Sequence, residues 1–324
     1  MQFFEHVRSL ECKPTNWLIQ DILPEASISS IVGASYTGKS FLALDMALSV
    51  AHGVNFQEHE TRRGNVAYIA AEGASGILKR IDAWCQTHGL QKDDSNLYIS
   101  KQAFNFRDRA VIQHIEHDLR SIIDLSLIFV DTLNRNFGGG NENGSEHMSE
   151  FIDACARLRD NLNCAVCIVH HMGKDLSGAR GHSSLYGAVD VEITLRRKGK
   201  NDVLVENSKQ KDDPEFEPLQ FIITPVGESA VLNLVPTSKD RQKLTSNERL
   251  AFEILCEISK ENSMSPVSLD VWRDAFRQRH TGDNQKTKDK AHQRARAGLQ
   301  NKGLIEVHNN FYRPCDMATI GDKE

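Results

Sequence analysis

Eight residues limit what this chain can fold into more than any other stretch. Gly33-Ala34-Ser35-Tyr36-Thr37-Gly38-Lys39-Ser40 follows the β-rich run SISSIV and opens the helical run FLALDMALSV. A strand that passes through such a loop straight into a helix needs glycine where the backbone turns sharply and where another group approaches closely. The geometry aims successive N–H groups, together with the positive end of the helix, at one point in space. That point suits phosphate. Gly33, Ala34, Ser35, Tyr36, Thr37, Gly38, Lys39, Ser40 and Phe41 are therefore the candidate cradle for ATP. Lys39 is set to neutralise the β- and γ-phosphates, and the Ser40 hydroxyl to ligate Mg²⁺. The competing reading is a chance glycine-rich turn, which explains neither the strand before it nor the helix after it.

The surroundings support an α/β fold. From about 27 to 236, short β-rich runs (27–32, 65–71, 125–131, 164–170) alternate with stretches of helical length and spacing (41–52, 76–88, 109–123, 147–161). Such alternation predicts a parallel central sheet covered on both faces. After Asp190 the texture changes. Runs at 189–196, 202–207, 221–225 and 230–235 are strand-like, with turn signals between them, and are expected as antiparallel strands at one edge of the sheet.

Phosphate binding alone does not hydrolyse ATP; a carboxylate near Mg²⁺ and a group that orients the attacking water are also needed. Asp131 ends the apolar run LSLIFVD, at the strand end where open α/β sheets bind ligands, and is the candidate Mg²⁺ carboxylate. Glu72 ends NVAYIAAE and is the candidate base, with a solvated turn glutamate as the alternative. His170 ends CAVCIVHH and is placed to sense the γ-phosphate by hydrogen bonding. Cys164 and Cys167 of that run alternate to opposite faces of a strand, so they cannot clamp a zinc ion with the histidines.

Charge divides the chain. The 324 residues carry 39 basic and 44 acidic side chains, a net of −5. Residues 1–239 hold 24 basic against 31 acidic, residues 240–313 hold 14 against 10, and the last eleven hold one against three. An acidic body joined to a basic segment points to a nucleic-acid partner for the latter. Seven cysteines scattered through apolar runs, no apolar signal core and no run long enough to span a bilayer lead to the expectation of a reduced, cytoplasmic protein with no membrane partner.

The expected organisation is an N-terminal arm over 1–13 and an ATPase domain over 14–236. A polar linker over 237–246, a small domain over 247–315 and a tail over 316–324 complete it. In the arm, Phe3, Phe4, Val7 and Leu10 share the face of a short amphipathic helix. In the small domain, helical segments near 247–260, 268–280 and 286–301 precede a short hairpin, the order of a winged helix-turn-helix. Its third helix carries Lys286, Lys288, Lys290, Arg294 and Arg296, while Ala291, Ala295 and Leu299 repeat every four residues to pack inward. One basic face opposite one apolar stripe suits a helix that reads duplex DNA. A solvated basic face, or a protein-docking module, is the alternative.

In order along the chain, WLI, ILP, GASYTGKSFLALDMALSVAHG, YIAAEG with Arg80, IFVDT, ENGSEHM, VHHMGK and GARGHSSLYGAVD resemble the RecA-like ATPase core of plasmid-encoded hexameric replicative helicases of the RepA type, over roughly 14–236. The resemblance implies a RecA-like P-loop NTPase fold and a hexameric ring with ATP between neighbours. It implies Glu72 as the catalytic base, Asp131 as the Mg²⁺ aspartate and His170 as the γ-phosphate sensor. It also implies a basic finger from the adjacent subunit. Lys209 and Lys211 in NSKQKDDP are candidates, a Lys-x-Lys pair where an Arg-containing one is expected; Arg180 competes, and plain surface charge is the alternative. The Gly/Ser-rich segment 173–186, with Lys174 and Arg180, corresponds to a loop that meets single-stranded DNA in the central channel. The glycine-rich stretch 138–144, read as a mobile loop, is a second channel candidate without basic residues of its own.

The function expected is an ATP-hydrolysing DNA motor, a replicative helicase or single-strand translocase of a plasmid, phage or mobile element. The alternative is an ATP-dependent DNA-binding regulator or recombination-type ATPase that does not unwind. A plain winged-helix transcription factor would leave Lys39 and Glu72 without a purpose.

Overall fold

The computed structural model describes residues 6–9, 14–70, 74–100, 102–171, 180–235, 244–262, 265–282, 284–302, 304–308 and 310–314. The chain divides into two compact units, Met1–Pro218 with Ile223–Leu232, and Leu219–Ile222 with Asn233–Glu324.

The first unit opens with a small antiparallel pair, β1 (Trp17–Ile19) and β2 (Leu23–Pro24). Then follow β3 (Ile28–Gly33), α1 (Lys39–His52), β4 (Asn65–Ala70), α2 (Ala74–His88), β5 (Leu97–Ile99) and α3 (Arg109–Leu119). Next come β6 (Leu125–Asp131), α4 (Leu133–Asn136), α5 (Ser145–Leu162), β7 (Ala165–His171) and α6 (Arg180–Ala188). The strands β8 (Val191–Arg197), β9 (Asp202–Gln210), β10 (Leu219–Val226) and β11 (Ser229–Val235) complete the sheet. Its order is β11-β10-β9-β8-β3-β7-β6-β4-β5. The central strands are rich in Val, Ile, Leu and Ala, and they are buried on both faces, as a parallel sheet under helices requires. One core gathers β6 and β7 against α3 and α5 through Ile128, Val130, Phe151, Leu158 and Ile168.

Two local signals set helix ends. Asp108 caps α3, accepting from the Ala110 and Val111 N–H groups at 2.8 and 3.4 Å. Gly53 closes α1 in the left-handed region (φ +70°), its N–H on the Ser49 carbonyl at 2.8 Å.

Two expectations need correction. The first of the four late strands, β8, is not antiparallel: it runs parallel to β3, and only at β9 does the direction reverse. The helix expected over 109–123 stops at Leu119, where Arg120, Ser121 and Ile122 fold into turns. In the stretch 138–144, read as a loop, Arg107 Nη1 donates to the Gly139 carbonyl at 2.6 Å and the Asn141 N–H to His147 Nδ1 at 3.1 Å. In the arm, the described residues form a single 3₁₀ turn, Val7–Ser9, with Val7 exposed; Phe3, Phe4 and Leu10 lie outside the described residues.

The second unit contains α7 (Ser246–Glu261), β12 (Val267–Ser268), α8 (Leu269–Arg279), α9 (Gln285–Asn301), β13 (Ile305–His308) and β14 (Phe311–Pro314). Its three short strands form an antiparallel sheet in the order β12-β14-β13. A reciprocal capping box starts α7: the Thr245 N–H donates to Glu248 Oε2 at 2.8 Å, and the Glu248 N–H to Thr245 Oγ1 at 3.3 Å. The end of the expected linker thus belongs to this unit, since Leu244 is buried in its core and Thr245 caps its first helix. Trp272 fills the centre, its indole N–H on the Ala251 carbonyl at 2.8 Å. No helix among the described residues is long and apolar enough to cross a membrane.

Candidate functional site

The loop residues leave the C-terminal end of β3 and enter α1. A side chain at Gly33 would put its Cβ 2.5 Å from the Leu195 carbonyl oxygen of β8, so only glycine lets these two backbones meet. Gly38 stands at the α1 N-cap with φ +102°, and no side chain caps that helix. The Lys39 and Ser40 N–H groups are thus available to an anion, whereas the Phe41 N–H, expected in the cradle, donates to the Gly38 carbonyl at 3.0 Å.

Lys39 is 3% exposed, and its Nζ donates to the carbonyls of Gly33 and Ala34 at 2.9 and 2.7 Å. Burial pushes its pKa down to about 8, against the pull of the nearby Asp131 carboxylate. Ser40 Oγ donates to Asp131 Oδ1 at 3.2 Å across 91 residues of sequence. The other oxygen, Asp131 Oδ2, accepts the Tyr68 hydroxyl at 2.6 Å. Tyr68 is fully enclosed in β4 and stacked on Phe129; burial first, and then the Asp131 charge, push its own ionisation well up. It is therefore a hydroxyl donor that aims the carboxylate. One hydroxyl and one carboxylate oxygen at this separation fit Mg²⁺, a hard cation usually held by one or two protein oxygens with water and substrate phosphate.

Strand order brings the remaining residues together. β7 lies between β3 and β6, with Val32 opposite His170 on one side and Asp131 opposite Val169 on the other. His170, 7% exposed, thus lies one residue before the end of a strand between those of the phosphate loop and Asp131. Ala70, the last residue of β4, pairs with Asp131. Glu72 follows two positions later and lies outside the described residues. The Arg80 guanidinium sits 4.8 Å from the centre of the Phe41 ring.

Lys209 and Lys211 occupy the opposite end of the sheet. Lys209 pairs with Glu192 in register and its ammonium donates to the Tyr186 carbonyl at 2.6 Å. Lys211 lies 3.4 Å from Asp190, whose other oxygen accepts the Ile28 N–H at the start of β3. The phosphate loop begins at the far end of that strand, about 17 Å away at the rise of a β-strand. Neither lysine reaches the phosphates held by its own chain. Arg180 opens α6, but its side chain, like Lys174, lies outside the described residues.

In the second unit the five cations of α9 do different things. Lys286, Lys290 and Arg294 are exposed and four apart, a single stripe along the helix. Lys288 instead donates to the Arg277 carbonyl at 2.9 Å, and Arg296 covers the Tyr312 ring at 5.6 Å. Ala295 and Leu299 pack inward, with Ala291 partly covered. His292, which the four-residue repeat did not include, is buried edge-on against Trp272. Arg277 and Asp289 join α8 to α9 through two bonds of 2.6 and 2.8 Å.

Two functional contacts were absent from the sequence reading. Tyr68 is visible as the one hydroxyl in NVAYIA, but nothing in that string says which carboxylate it meets. Arg197 Nε donates to the Tyr36 carbonyl at 3.1 Å, tying the end of β8 to the loop apex. Comparison with protein families finds that a model described as an AAA domain matches residues 2–177, a span holding the loop, Asp131 and His170 and ending before Lys209. No curated protein matches the chain.

Proposed function

The chain belongs to the AAA domain family of P-loop NTPases, and from that membership we propose that it is an ATP-hydrolysing DNA motor, a hexameric replicative helicase or single-strand translocase of the RepA type serving a plasmid, phage or other mobile element. The observation that carries the ATPase reading is the meeting of Ser40 and Asp131 at 3.2 Å beside the buried Lys39 ammonium. Lys39 binds the β- and γ-phosphates, and N–H groups of the loop up to Ser40 orient them. Ser40 and Asp131 would hold Mg²⁺, which when bound neutralises charge on the transferred phosphoryl group. Tyr68 keeps the Asp131 carboxylate turned toward Ser40. Glu72 accepts the proton of the attacking water, and His170 donates a hydrogen bond to the γ-phosphate.

Assembly is supported by the place of the two lysines. A cation that stabilises transition-state charge must touch the phosphates, and Lys209 and Lys211 lie a full strand length from their own loop. They serve as fingers only for a neighbour, so ATP sits between subunits. Loop 173–186, with Lys174 and Arg180, tracks single-stranded DNA in the channel. We read the second unit as a winged helix-turn-helix, because three helices are followed by a hairpin whose second strand also pairs with β12. The stripe Lys286, Lys290 and Arg294 then faces duplex DNA.

The test is strand displacement on a forked duplex with ATP and Mg²⁺, run beside light scattering of the same sample. Displacement by a six-subunit species supports the motor. ATP turnover and DNA binding without displacement selects the non-unwinding regulator or recombination-type ATPase. Wild-type turnover by Lys39→Ala would remove the site altogether.

A further inference from the structure

The turn joining β8 to β9 reads Arg196-Arg197-Lys198-Gly199-Lys200-Asn201-Asp202, four cations against one carboxylate within an otherwise acidic unit. Every residue from Arg196 to Lys200 is exposed. Arg196 has an acidic neighbour in Glu206 at 3.5 Å, whereas no acid pairs with Arg197, Lys198 or Lys200 among the described residues. Crowded like charges repel, and an anion laid over them relieves that repulsion. The turn is joined to the phosphate loop twice, by the pairing of Gly33 with Leu195 and by the Arg197 bond to the Tyr36 carbonyl.

Tyr36 is the apex of that loop. It is 91% exposed and holds φ +64°, a conformation that glycine or asparagine adopts at less cost than an aromatic residue. The ring contributes nothing to the core, and the turn would form more easily without it. The left-handed backbone belongs to the turn of the phosphate loop, and an aromatic residue at its apex leaves a π-face open to the outside. A π-face on a loop bonded to Arg197, whose own turn carries two ammonium groups, offers the composition that single strands recognise, with bases on the ring and phosphates on the cations.

We propose that Tyr36 and the β8–β9 turn, through Arg197, Lys198 and Lys200, form a binding surface for single-stranded nucleic acid, with a base stacked on the Tyr36 ring and flanking phosphates on the three cations. The proposal rests on the DNA-motor reading and adds residues outside loop 173–186 and helix α9. The base of the ATP held by the same loop has similar chemistry, so the experiment has an arm for each source.

Fluorescence anisotropy of a labelled 20-nucleotide oligothymidylate, titrated with the full chain at several salt concentrations, measures the strand; titration with a fluorescent ATP analogue measures the nucleotide. Tyr36→Ala is expected to weaken the oligonucleotide about 5- to 50-fold, and Tyr36→Phe to retain its affinity. The double variant Lys198→Glu/Lys200→Glu is expected to weaken it at least about 10-fold, and Lys198→Arg/Lys200→Arg to preserve it. Neutralising these two lysines by alanine should lower the slope of log affinity against log salt by about 1.4. Melting temperatures taken alongside establish that each variant is folded. Oligonucleotide affinity unchanged in the alanine and glutamate variants overturns the proposal. So does a Tyr36→Ala variant that loses only the ATP analogue, or a charge reversal that changes only the mass in light scattering. A wild-type chain that binds no oligonucleotide removes the motor reading itself, whereas binding shared equally by wild type and variants removes this surface alone.

Discussion

Lys39 has lost most of its water, and its pKa of about 8 reflects that loss. A polyanion brought against the ammonium stabilises the charged form and raises the pKa again. Binding an ATP analogue at pH 8 should therefore take up a substantial fraction of a proton, and affinity should fall as pH rises past 8. Calorimetry in buffers of different ionisation enthalpy measures the uptake; binding heat independent of buffer at pH 8 would contradict it. Asp131 gives a second expectation at this scale. Its Oδ2 accepts the Tyr68 hydroxyl at 2.6 Å, so Tyr68→Phe removes one of the bonds that fix the orientation of the carboxylate. Groups that orient a metal ligand typically contribute 10- to 100-fold in metal affinity. Half-maximal ATPase activity in Tyr68→Phe should need about ten times more Mg²⁺, read from a Mg²⁺ titration. The position of Asp131 was legible in LSLIFVD because an acid that ends an apolar strand emerges at the same sheet end as the phosphate loop. The role of Tyr68 was not, because it depends on β4 lying next to β6.

Between elements, buried ionisable groups make packing depend on pH. Asp45 on α1 accepts the Trp84 indole N–H of α2 at 2.6 Å, and Trp84 stacks on His88 at 3.9 Å. Burial raises Asp45 to about 6, partly offset by the Trp84 bond and the His88 charge. A raised acid favours the folded state most at pH below its unfolded pKa of about 3.9, and that advantage is lost as pH climbs through 6. Asp45→Asn keeps the indole bond and removes the buried charge. It should be up to about 3 kcal/mol more stable than wild type at pH 8, with the difference vanishing below pH 4, as seen in urea unfolding at both pH values. His292 in α9 has the opposite sign. Burial, helped by Arg296 and Arg273, lowers it to about 4, so its contribution is present above about 6.5 and is lost as pH falls through 4. The second unit should lose about 3 kcal/mol across that window, reported by Trp272 fluorescence with Trp17 and Trp84 replaced by Phe, and His292→Leu should abolish the acid limb. The helices themselves were largely readable, since capping residues and apolar spacing are local. The direction of β8 was not. A short apolar run pairs in either sense, and the choice falls to the partner strand.

At the scale of the whole molecule, the decisive feature is that Lys209 and Lys211 sit at one end of the sheet and the phosphate loop at the other. If they act across subunits, Lys39→Ala and Lys209→Ala/Lys211→Ala should each be inactive alone and regain activity when mixed. In a random closed ring about a quarter of interfaces then join an intact loop to an intact finger. ATPase assays on mixtures prepared by co-refolding or subunit exchange measure this, and absence of recovery would return both lysines to the status of surface charge. The sequence by itself determined the parts whose physics is contained in a few neighbouring residues. The loop from Gly33 to Ser40 is one, because glycine and a lysine at a helix start impose their geometry locally. The basic stripe of α9 is another, because helical spacing places Lys286, Lys290 and Arg294 together. Only the tertiary structure decided which distant groups meet: Ser40 with Asp131, Asp131 with Tyr68, Arg197 with Tyr36. Those meetings follow from strand order and direction, which are selected by burying side chains from the whole chain at once, and no short stretch of sequence carries that information.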